Sequence, residues 1–481
     1  MTKAAESFAN VDVLPDSWTW AQLGDVCKTT SGGTPSRKNA EYFTGDIPWV
    51  KSGELPDGLV TEVEERITKA AVANSSAKVF PAGTLLIALY GATVGRLGIL
   101  KEAATTNQAV CAIFPPEYLD TKYLFWYLRF VRSDLVAQAV GGAQPNISQG
   151  ILRELPIPIA PLDQQKRIVA EIEKQFSRLD EAVANLKRVK TNLKRYKAAV
   201  LKAAVEGRLV ETEAELARRE GRSYETGPQL LQRILETRRS QWQGKGKYKE
   251  PAAPDTTDLP ELPEGWTWAS AEQLAAGEPH SLAIGPFGSN LKVHDYTDSG
   301  VPLVFVRNIR SASFGGADTF YVTEEKASEL KAHRIDAGDL LITKMGDPPG
   351  DVCIYPMNRP PAVITADCIK LRFGRDSVST RFCAYAIESE CVHNQILGIT
   401  KGVAQLKVSL GRFSSIGLPL PPITEQHRIV AEVDRRLSLQ REAEAQVDAN
   451  LRRAERLRQS ILAQAFSGRL KLSEESVGEV V

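Results

Sequence analysis

The chain has 481 residues, a formal net charge of +1, 43% hydrophobic and 25% charged residues. That length is enough for two or three domains with cores of their own, and the composition is that of an ordinary globular protein. No run approaches the roughly 18 apolar residues of a membrane span, and the opening MTKAAESFANVDVLPDSW lacks the apolar stretch of a signal peptide, so a cytoplasmic protein with no membrane partner is expected.

Along the chain, one vocabulary is used twice. LPDSWTWAQLGDV (14–26) returns as LPEGWTWASAEQL (262–274), and GDIPWVKSGEL (45–55) has its counterpart in SGVPLVFVRNI (299–309). FPAGTLLIALYGATVGRLGIL (80–100) answers to IDAGDLLITKMGDPPGDVCIY (335–355), an alternating strand broken by a glycine turn. Short β-rich runs between Gly/Pro turns predict compact mixed α/β (α+β) domains with strands in the majority. One patch, TKYLFWYLRFVRSDLVAQAV (121–140), has helical apolar spacing. GGAQPNIS (141–148) and KGVAQLKVS (401–409) precede two Pro-rich lead-ins, PIPIAPLDQQKRIVA (156–170) and GLPLPPITEQHRIVA (417–431). Arg167 and Arg428 set the repeat period at 261 residues. Such a period marks a duplicated unit, here a globular part followed by a long helix.

The helices are the most regular features. Ile172, Phe176, Leu179, Val183, Leu186, Val189, Leu193, Tyr196 and Val200 step by fours and threes. Val433, Leu437, Val447, Leu451, Ala454 and Ile461 do the same, with Gln440 and Glu444 interrupting. An apolar seam every 3.5 residues predicts a coiled coil, with Phe176 and Tyr196 as core residues. Asp163 and Thr424 are expected N-caps and Gly207 and Gly468 expected stops, giving arms of roughly 43 residues or ~65 Å. The simplest partner for each seam is the other arm; the alternative is a second protein. Between the repeats, GPQLLQRILETRRSQWQ reads as a short basic amphipathic helix, and GKGKYKEPAAPDTTDLPE as a flexible linker.

The charge distribution says more than its sum. Lys+Arg against Asp+Glu is 14 to 16 over residues 1–160 and 15 to 17 over 262–422, but 21 to 12 over 161–249. The basic excess lies on the first arm and the segment after it, where it forms either a phosphate footprint or a solvated helix face. The globular halves carry none.

Motifs for catalysis are weak. The six cysteines form no CxxC pair, Cys111 and Cys368 are read as equivalent small core residues, and the five histidines show no metal-ligand spacing. GDPPGD (346–351) resembles the acid-Pro-Pro-aromatic motif of amino-methyltransferases, yet Gly350 replaces the aromatic and the other repeat has no Pro-Pro. Asp339 and Lys344 have no counterparts in GTLLIAL, and a surface-exposed strand end is the better reading. GGTPSR and GATVGRLG lack the GK[ST] of a triphosphate loop. No catalytic or metal site is expected, although an enzyme with an unrecognised site stays open as a third reading.

Taken together, the doubled words with LPIPIAPLDQQKRIVAEIEKQFSRLDE, LKAAVEGRL and GPQLLQRILETRRSQWQGKGKYKEP resemble the specificity subunit of type I restriction–modification systems, over nearly the whole chain. The resemblance implies a first target-recognition domain (1–157), a long helix (158–210), a central segment and linker (211–261), a second target-recognition domain (262–420), a second long helix (421–470) and a tail (471–481). The helices would pair antiparallel and set the spacing between two half-sites of an asymmetric double-stranded DNA sequence. The chain would be non-catalytic and hold no cofactor. Two methylation subunits would bring S-adenosylmethionine chemistry on adenine, and restriction/translocase subunits would bring ATP and Mg2+. The runner-up is a scaffold with two adaptor domains that does not bind DNA.

Base reading needs Arg or Lys for guanine and Asn or Gln for adenine, held on loops of a rigid scaffold. The favoured residues in the first half are Thr34, Ser36, Arg37, Lys38, Lys51, Tyr90, Arg96, Asn107, Gln108, Gln144, Asn146 and Ser148. In the second they are Ser289, Asn290, Lys292, Arg307, Asn308, Lys344, Gln405 and Lys407. For each, an exposed loop residue without a DNA role is the alternative, and Gln144 and Gln405 could share a structural role. Asn74 reads as an ordinary turn residue. Trp18, Trp20, Trp266 and Trp268 are assigned to packing.

Overall fold

A computed structural model describes residues 14–139, 146–242, 247–309, 314–316, 320–374, 376–402 and 406–472. The chain divides into two compact units, one of residues 1–187 with 447–481 and the other of residues 188–446. Each unit therefore takes its globular domain from one repeat and its helix pair from both.

In the first unit the main sheet has five strands, in the order Lys28–Ser31, Val110–Phe114, Leu85–Ala88, Leu97–Leu100 and Gly58–Val60, with only the last pair parallel. Leu85–Ala88 is buried at every position because the sheet is a middle layer. Successive side chains point to opposite faces, so Leu85 and Ile87 join one core, and Leu86 and Ala88 join another. The first core is closed by the helix Thr121–Phe130 and the arms. The second lies toward a smaller sheet of Arg66–Ile67, Ile47–Val50 and Thr105–Thr106. The helical patch at 121–140 is two helices, Thr121–Phe130 and Arg132–Ala137.

The second unit repeats the plan. Leu282–Ile284, Cys368–Leu371, Leu340–Thr343 and Val352–Ile354 form an antiparallel sheet, with Leu340 and Ile342 on one face and Leu341 on the other. A second sheet orders Tyr321–Val322, Val301–Val304, Ala362–Ile364 and Arg334–Ile335. The strand register corrects one expected equivalence. Ile87 faces Cys111 while Thr343 faces Cys368, and Ala88 faces Val110. Cys368 thus corresponds to Val110, and the two buried cysteines lie on opposite faces of their sheets.

A two-stranded clasp closes each domain at its root: Thr19–Gln22 with Pro156–Ile159, and Thr267–Ser270 with Gly417–Leu420, both antiparallel. Prolines are tolerated because neither strand of a two-stranded ribbon must donate on both sides. Trp18 and Trp266, just before each clasp, are buried. The Trp18 indole N–H donates to Gln164 (3.1 Å) and that of Trp266 to Glu425 (3.0 Å), both in the first turn of a long helix. The next residues bind the domain to the helix. Gln165 accepts from the backbone N–H of Asp120 (2.8 Å) and donates to the carbonyls of Tyr118 (3.0 Å) and Ala160 (2.7 Å). Gln426 accepts from the N–H of Ser379 (2.8 Å) and donates to the carbonyl of Pro421 (2.9 Å). These bonds give the doubled Gln-Gln and Glu-Gln words a physical role.

The long helices run Leu162–Val205 and Ile423–Phe466, 44 residues each. They begin one residue before the expected caps: the carbonyls of Pro161 and Pro422 accept from Gln165 and Gln426, which leaves Asp163 and Thr424 inside the first turn. In the first unit the opening of one helix (Ile168, Ile172, Phe176) shares a core with the end of the other (Ile461, Ala465, Phe466). In the second unit Val200, Leu201 and Ala204 lie with Ile429, Val433 and Leu437. The arms are antiparallel. Phe176 is core, but Tyr196 is 43% exposed and Val189 is exposed as well. The partly buried line runs Leu186, Lys190, Leu193, Lys197, Val200. A straight helix drifts about 20° per heptad against a 3.5-residue seam, which carries Tyr196 off the line and brings the Lys197 stem onto it.

Both helices end as expected. Gly207 (φ 67°) and Gly468 (φ 69°) are left-handed, and the N–H groups of Arg208 and Arg469 bond back to Ala203 (2.9 Å) and Gln464 (2.8 Å), a Schellman ending. The central segment folds onto the second unit as the helices Glu213–Glu220 and Gly227–Ser240, with Leu230 and Ile234 in its core. The stretch expected to be a flexible linker is anchored there too: Ser270 donates to the Ala252 carbonyl (2.7 Å), and the Trp268 indole to that of Pro260 (3.2 Å).

Candidate nucleic-acid interface

In each domain the connections leaving one end of the main sheet gather there. In the first, the strand ending at Ser31 runs into the loop 32–38, whose opening is held by bonds from Gly32 N–H to Val110 O (3.1 Å) and Gly33 N–H to Thr106 O (2.9 Å). A Cβ on Gly32 would stand 2.3 Å from the Thr106 carbonyl oxygen, so only glycine passes at that point. The same end receives Leu89, which donates to Ala109 O (2.8 Å), and Ile147, which donates to Leu89 O (2.7 Å). Four separated segments thus converge, and with them most of the expected residues.

Thr34 and Gln108 are joined by a hydrogen bond. Asn107 is half-buried, its side-chain oxygen unpartnered among the described residues. Tyr90 and Asn146 face each other across a β-bridge. Arg96 is exposed on the turn just beyond Tyr90, and Ser36 and Lys38 are exposed on the first loop. Ser148 caps a helix, accepting from Ile151 N–H (3.1 Å). Arg37 and Lys51 meet carboxylates that sequence reasoning missed. Arg37 makes two bonds to Glu65 (2.6 and 3.1 Å) and stacks over Phe43 and Trp49, while Lys51 pairs with Glu64 (2.7 Å) and Glu65 (3.2 Å). The Arg37 guanidinium holds the Glu65 carboxyl below its ordinary range. Their sequence separation has no periodicity, and only a general surplus of acid over base hinted at it. Gln144 and Gln405 lie outside the described residues.

In the second domain Gly285 repeats the role of Gly32, its N–H on Cys368 O (3.1 Å) and its absent Cβ 2.0 Å from Thr365 O. Ser289, Asn290 and Lys292 are exposed on the loop that follows. Lys344 reaches the Ala366 carbonyl (3.2 Å) with its ammonium, and Val408 N–H bonds to Lys344 O (3.0 Å), so exposed Lys407 lies beside it, bridged to Met345. Arg307 is exposed and stacked over Phe305. Asn308 is not at the surface: it is buried, accepts from Phe305 N–H (2.9 Å) and donates to Gly315 O (3.0 Å).

The motifs discounted for catalysis are structural. Asp339 is buried rather than an exposed strand end, held by Arg372 at 2.6 and 2.7 Å. In GDPPGD, the Thr343 hydroxyl accepts from the N–H groups of Gly350 (3.0 Å) and Asp351 (2.9 Å), folding the turn back on its own strand. Burial pushes the thiols of Cys27, Cys353 and Cys368 up to about 12. Among the described residues no cluster of His, Cys, Asp and Glu is arranged to hold a metal ion, and no helix is long and apolar enough to cross a membrane.

Five arginines of the central segment are paired with carboxylates. Arg218 pairs with Glu264, Arg219 with Glu211, Arg222 with Glu213, Arg233 with Glu225 and Arg239 with Glu250, at 2.6–2.8 Å. The two halves carry slightly more acid than base, and the basic excess stays on the first long helix and the segment after it.

The family described as "Type I restriction modification DNA specificity domain" matches residues 15–195 and 306–450, well over half of the chain. The chain belongs to this family. The specificity subunit of the type I restriction enzyme EcoR124I/EcoR124II of Escherichia coli is 32% identical over 170 residues, 34% of this chain and 42% of that protein. This chain therefore spans less than half of that relative's length. The EcoDI specificity subunit of E. coli is 22% identical over 458 residues, 95% of this chain and 89% of its own. A chain from a structure concerned with complex assembly and conformational transition of the type I R-M system superimposes with a TM-score of 0.68 at 19% identity, covering 95% of this chain and 100% of that one. The last likeness speaks for the fold alone.

Proposed function

We propose that this chain is the DNA-specificity subunit of a type I restriction–modification complex, each domain reading one half of a bipartite, asymmetric site on double-stranded DNA. One observation carries the reading: in both domains, separated loops bring exposed Asn, Lys and Arg side chains to one end of a sheet packed on both faces. Base reading requires such adaptable polar groups on a rigid base. The antiparallel arms set the unread spacer between the halves. The chain itself is non-catalytic and without cofactor. Two methylation subunits dock on it and supply S-adenosylmethionine chemistry on adenine; restriction/translocase subunits add ATP- and Mg2+-dependent cleavage, all acting in the cytoplasm. Since both domains carry slightly more acid than base, phosphate attraction comes mainly from the methylation subunits or from the basic helix region.

Methylome sequencing of a host expressing this chain with its methylation subunits tests the reading. A methylated two-part motif with a fixed gap is expected. Absence of any motif, with no band shift on genomic DNA by the co-expressed complex, would favour a scaffold that does not bind DNA.

A further inference from the structure

The loop Pro286–Lys292 carries a side chain that the polar reading leaves unused. Phe287 is 67% exposed, stacks on no aromatic ring and joins no core among the described residues. It is held firmly all the same. Its carbonyl accepts from Asn290 N–H (2.8 Å), closing a turn of Phe287, Gly288, Ser289 and Asn290, all exposed. On one side the turn is rooted by buried Pro286 and by Gly285, bonded to Cys368 O at 3.1 Å; on the other Leu291 is buried in the small core under the second sheet. Gly288 has nothing within 4 Å of where its Cβ would be, so the tip beside the ring is thin and open. A bare phenyl ring in water costs free energy in proportion to its apolar area, and a rigid mount lowers the entropy lost when it finds a partner.

We infer that Phe287 is an apolar wedge: in the half-site read by the second domain it inserts against a base step, while Asn290, Lys344 and Lys407 contact base edges and phosphates around it. This rests on the DNA-reading function proposed above and adds a second mode of recognition to it. A ring carries no hydrogen-bond code. It selects through the cost of unstacking, which is lowest at flexible pyrimidine–purine steps. Among the described residues the first domain has no phenyl ring at the corresponding position. There the position two residues beyond the equivalent glycine, Gly32, is Thr34, bonded to Gln108. The two halves would then differ in kind, with deformation read in one only.

The test uses the chain assembled with its methylation subunits, on duplexes carrying the motif found by methylome sequencing, with 2-aminopurine moved base by base through each half. With the native complex, apart from the adenines that the methylation subunits flip, which Phe287→Ala should leave unchanged, fluorescence should rise at one step of the second half and at none in the first. Phe287→Ala should abolish that rise and weaken specific binding by about tenfold or more; Phe287→Trp should retain the rise. Three results would overturn the wedge: an unchanged signal in Phe287→Ala, no rise with the native complex despite tight specific binding, or Phe287→Ala impairing assembly with the methylation subunits in the absence of DNA, which would assign the ring to a protein contact. Failure of the native complex to prefer the motif over random DNA would instead defeat the DNA-reading function itself.

Discussion

At Glu425 the two repeats put different chemistry in one place. Its counterpart Gln164 is neutral and needs only one bond, to Trp18. Glu425 is fully buried, with one oxygen accepting from Trp266 and the other from the backbone N–H of Glu213 (2.9 Å). Burial pushes its carboxyl up to about 7 despite those bonds and despite nearby Arg428. The neighbouring Glu213 carboxyl is held below its usual range by Arg428 and Arg222, against the pull of its own burial. For an acid whose folded pKa is raised, the folded state holds the proton longer than the unfolded one. Its contribution is complete below about 4.5 and is lost as pH rises toward 7, at no more than about 1.4 kcal/mol per pH unit. The urea midpoint should therefore carry a descending component between pH 4.5 and 7. Glu425→Gln should remove that slope, whatever it does to the absolute midpoint; an identical slope in the variant would show that the proton sits elsewhere. Single residues were also where sequence reading erred most. Asp339 looked like an exposed strand-end charge, and the carboxylates that pair with Arg37 and Lys51 went unseen, because Arg372, Glu64 and Glu65 sit at separations that no period links.

At the scale of elements, legibility followed regularity. Arms with a repeating seam, left-handed glycine stops and a tryptophan before each clasp could be read because each obeys a local rule. The phase of the seam beyond Leu186 could not, since the drift of a 3.6-residue helix against a 3.5-residue repeat is decided by what lies opposite. The helix endings allow two effects to be separated. Gly207 and Gly221 have the same left-handed φ of 67°, but a Cβ on Gly207 would stand 2.3 Å from Pro263 Cγ while one on Gly221 would meet nothing within 4 Å. Gly221→Ala should cost about 1 kcal/mol of backbone strain, and Gly207→Ala about 2–3 kcal/mol, because Pro263 and the loop before Trp266 must also shift. Denaturant unfolding of the two variants measures the difference. Equal losses would mean that the contact with Pro263 is soft.

At the scale of the whole molecule, the repeat period announced two units, but not that each unit would borrow half of its helix pair from the other repeat. Seams that need partners implied pairing, yet the choice between the other arm and another protein required the fold. The spacing role proposed for the arms has a direct test. Adding four residues, about one helical turn or ~6 Å, to the exposed middle of each long helix should lengthen the unread gap of the methylated motif and leave both half-sequences unchanged. A motif with altered halves, or with the same gap, would separate the arms from the spacing.

The two-stranded clasp, finally, brings the entry and exit of each globular domain to one place. Chain enters and leaves the domain through neighbouring strands, Thr19–Gln22 beside Pro156–Ile159 and Thr267–Ser270 beside Gly417–Leu420. What lies between can be exchanged without moving the two attachment points. The doubled words at its borders, which lead into the long helices, stay with the frame. On the DNA-reading function proposed above, replacing what lies within one clasp should change one half-site and leave the other half and the frame as they were.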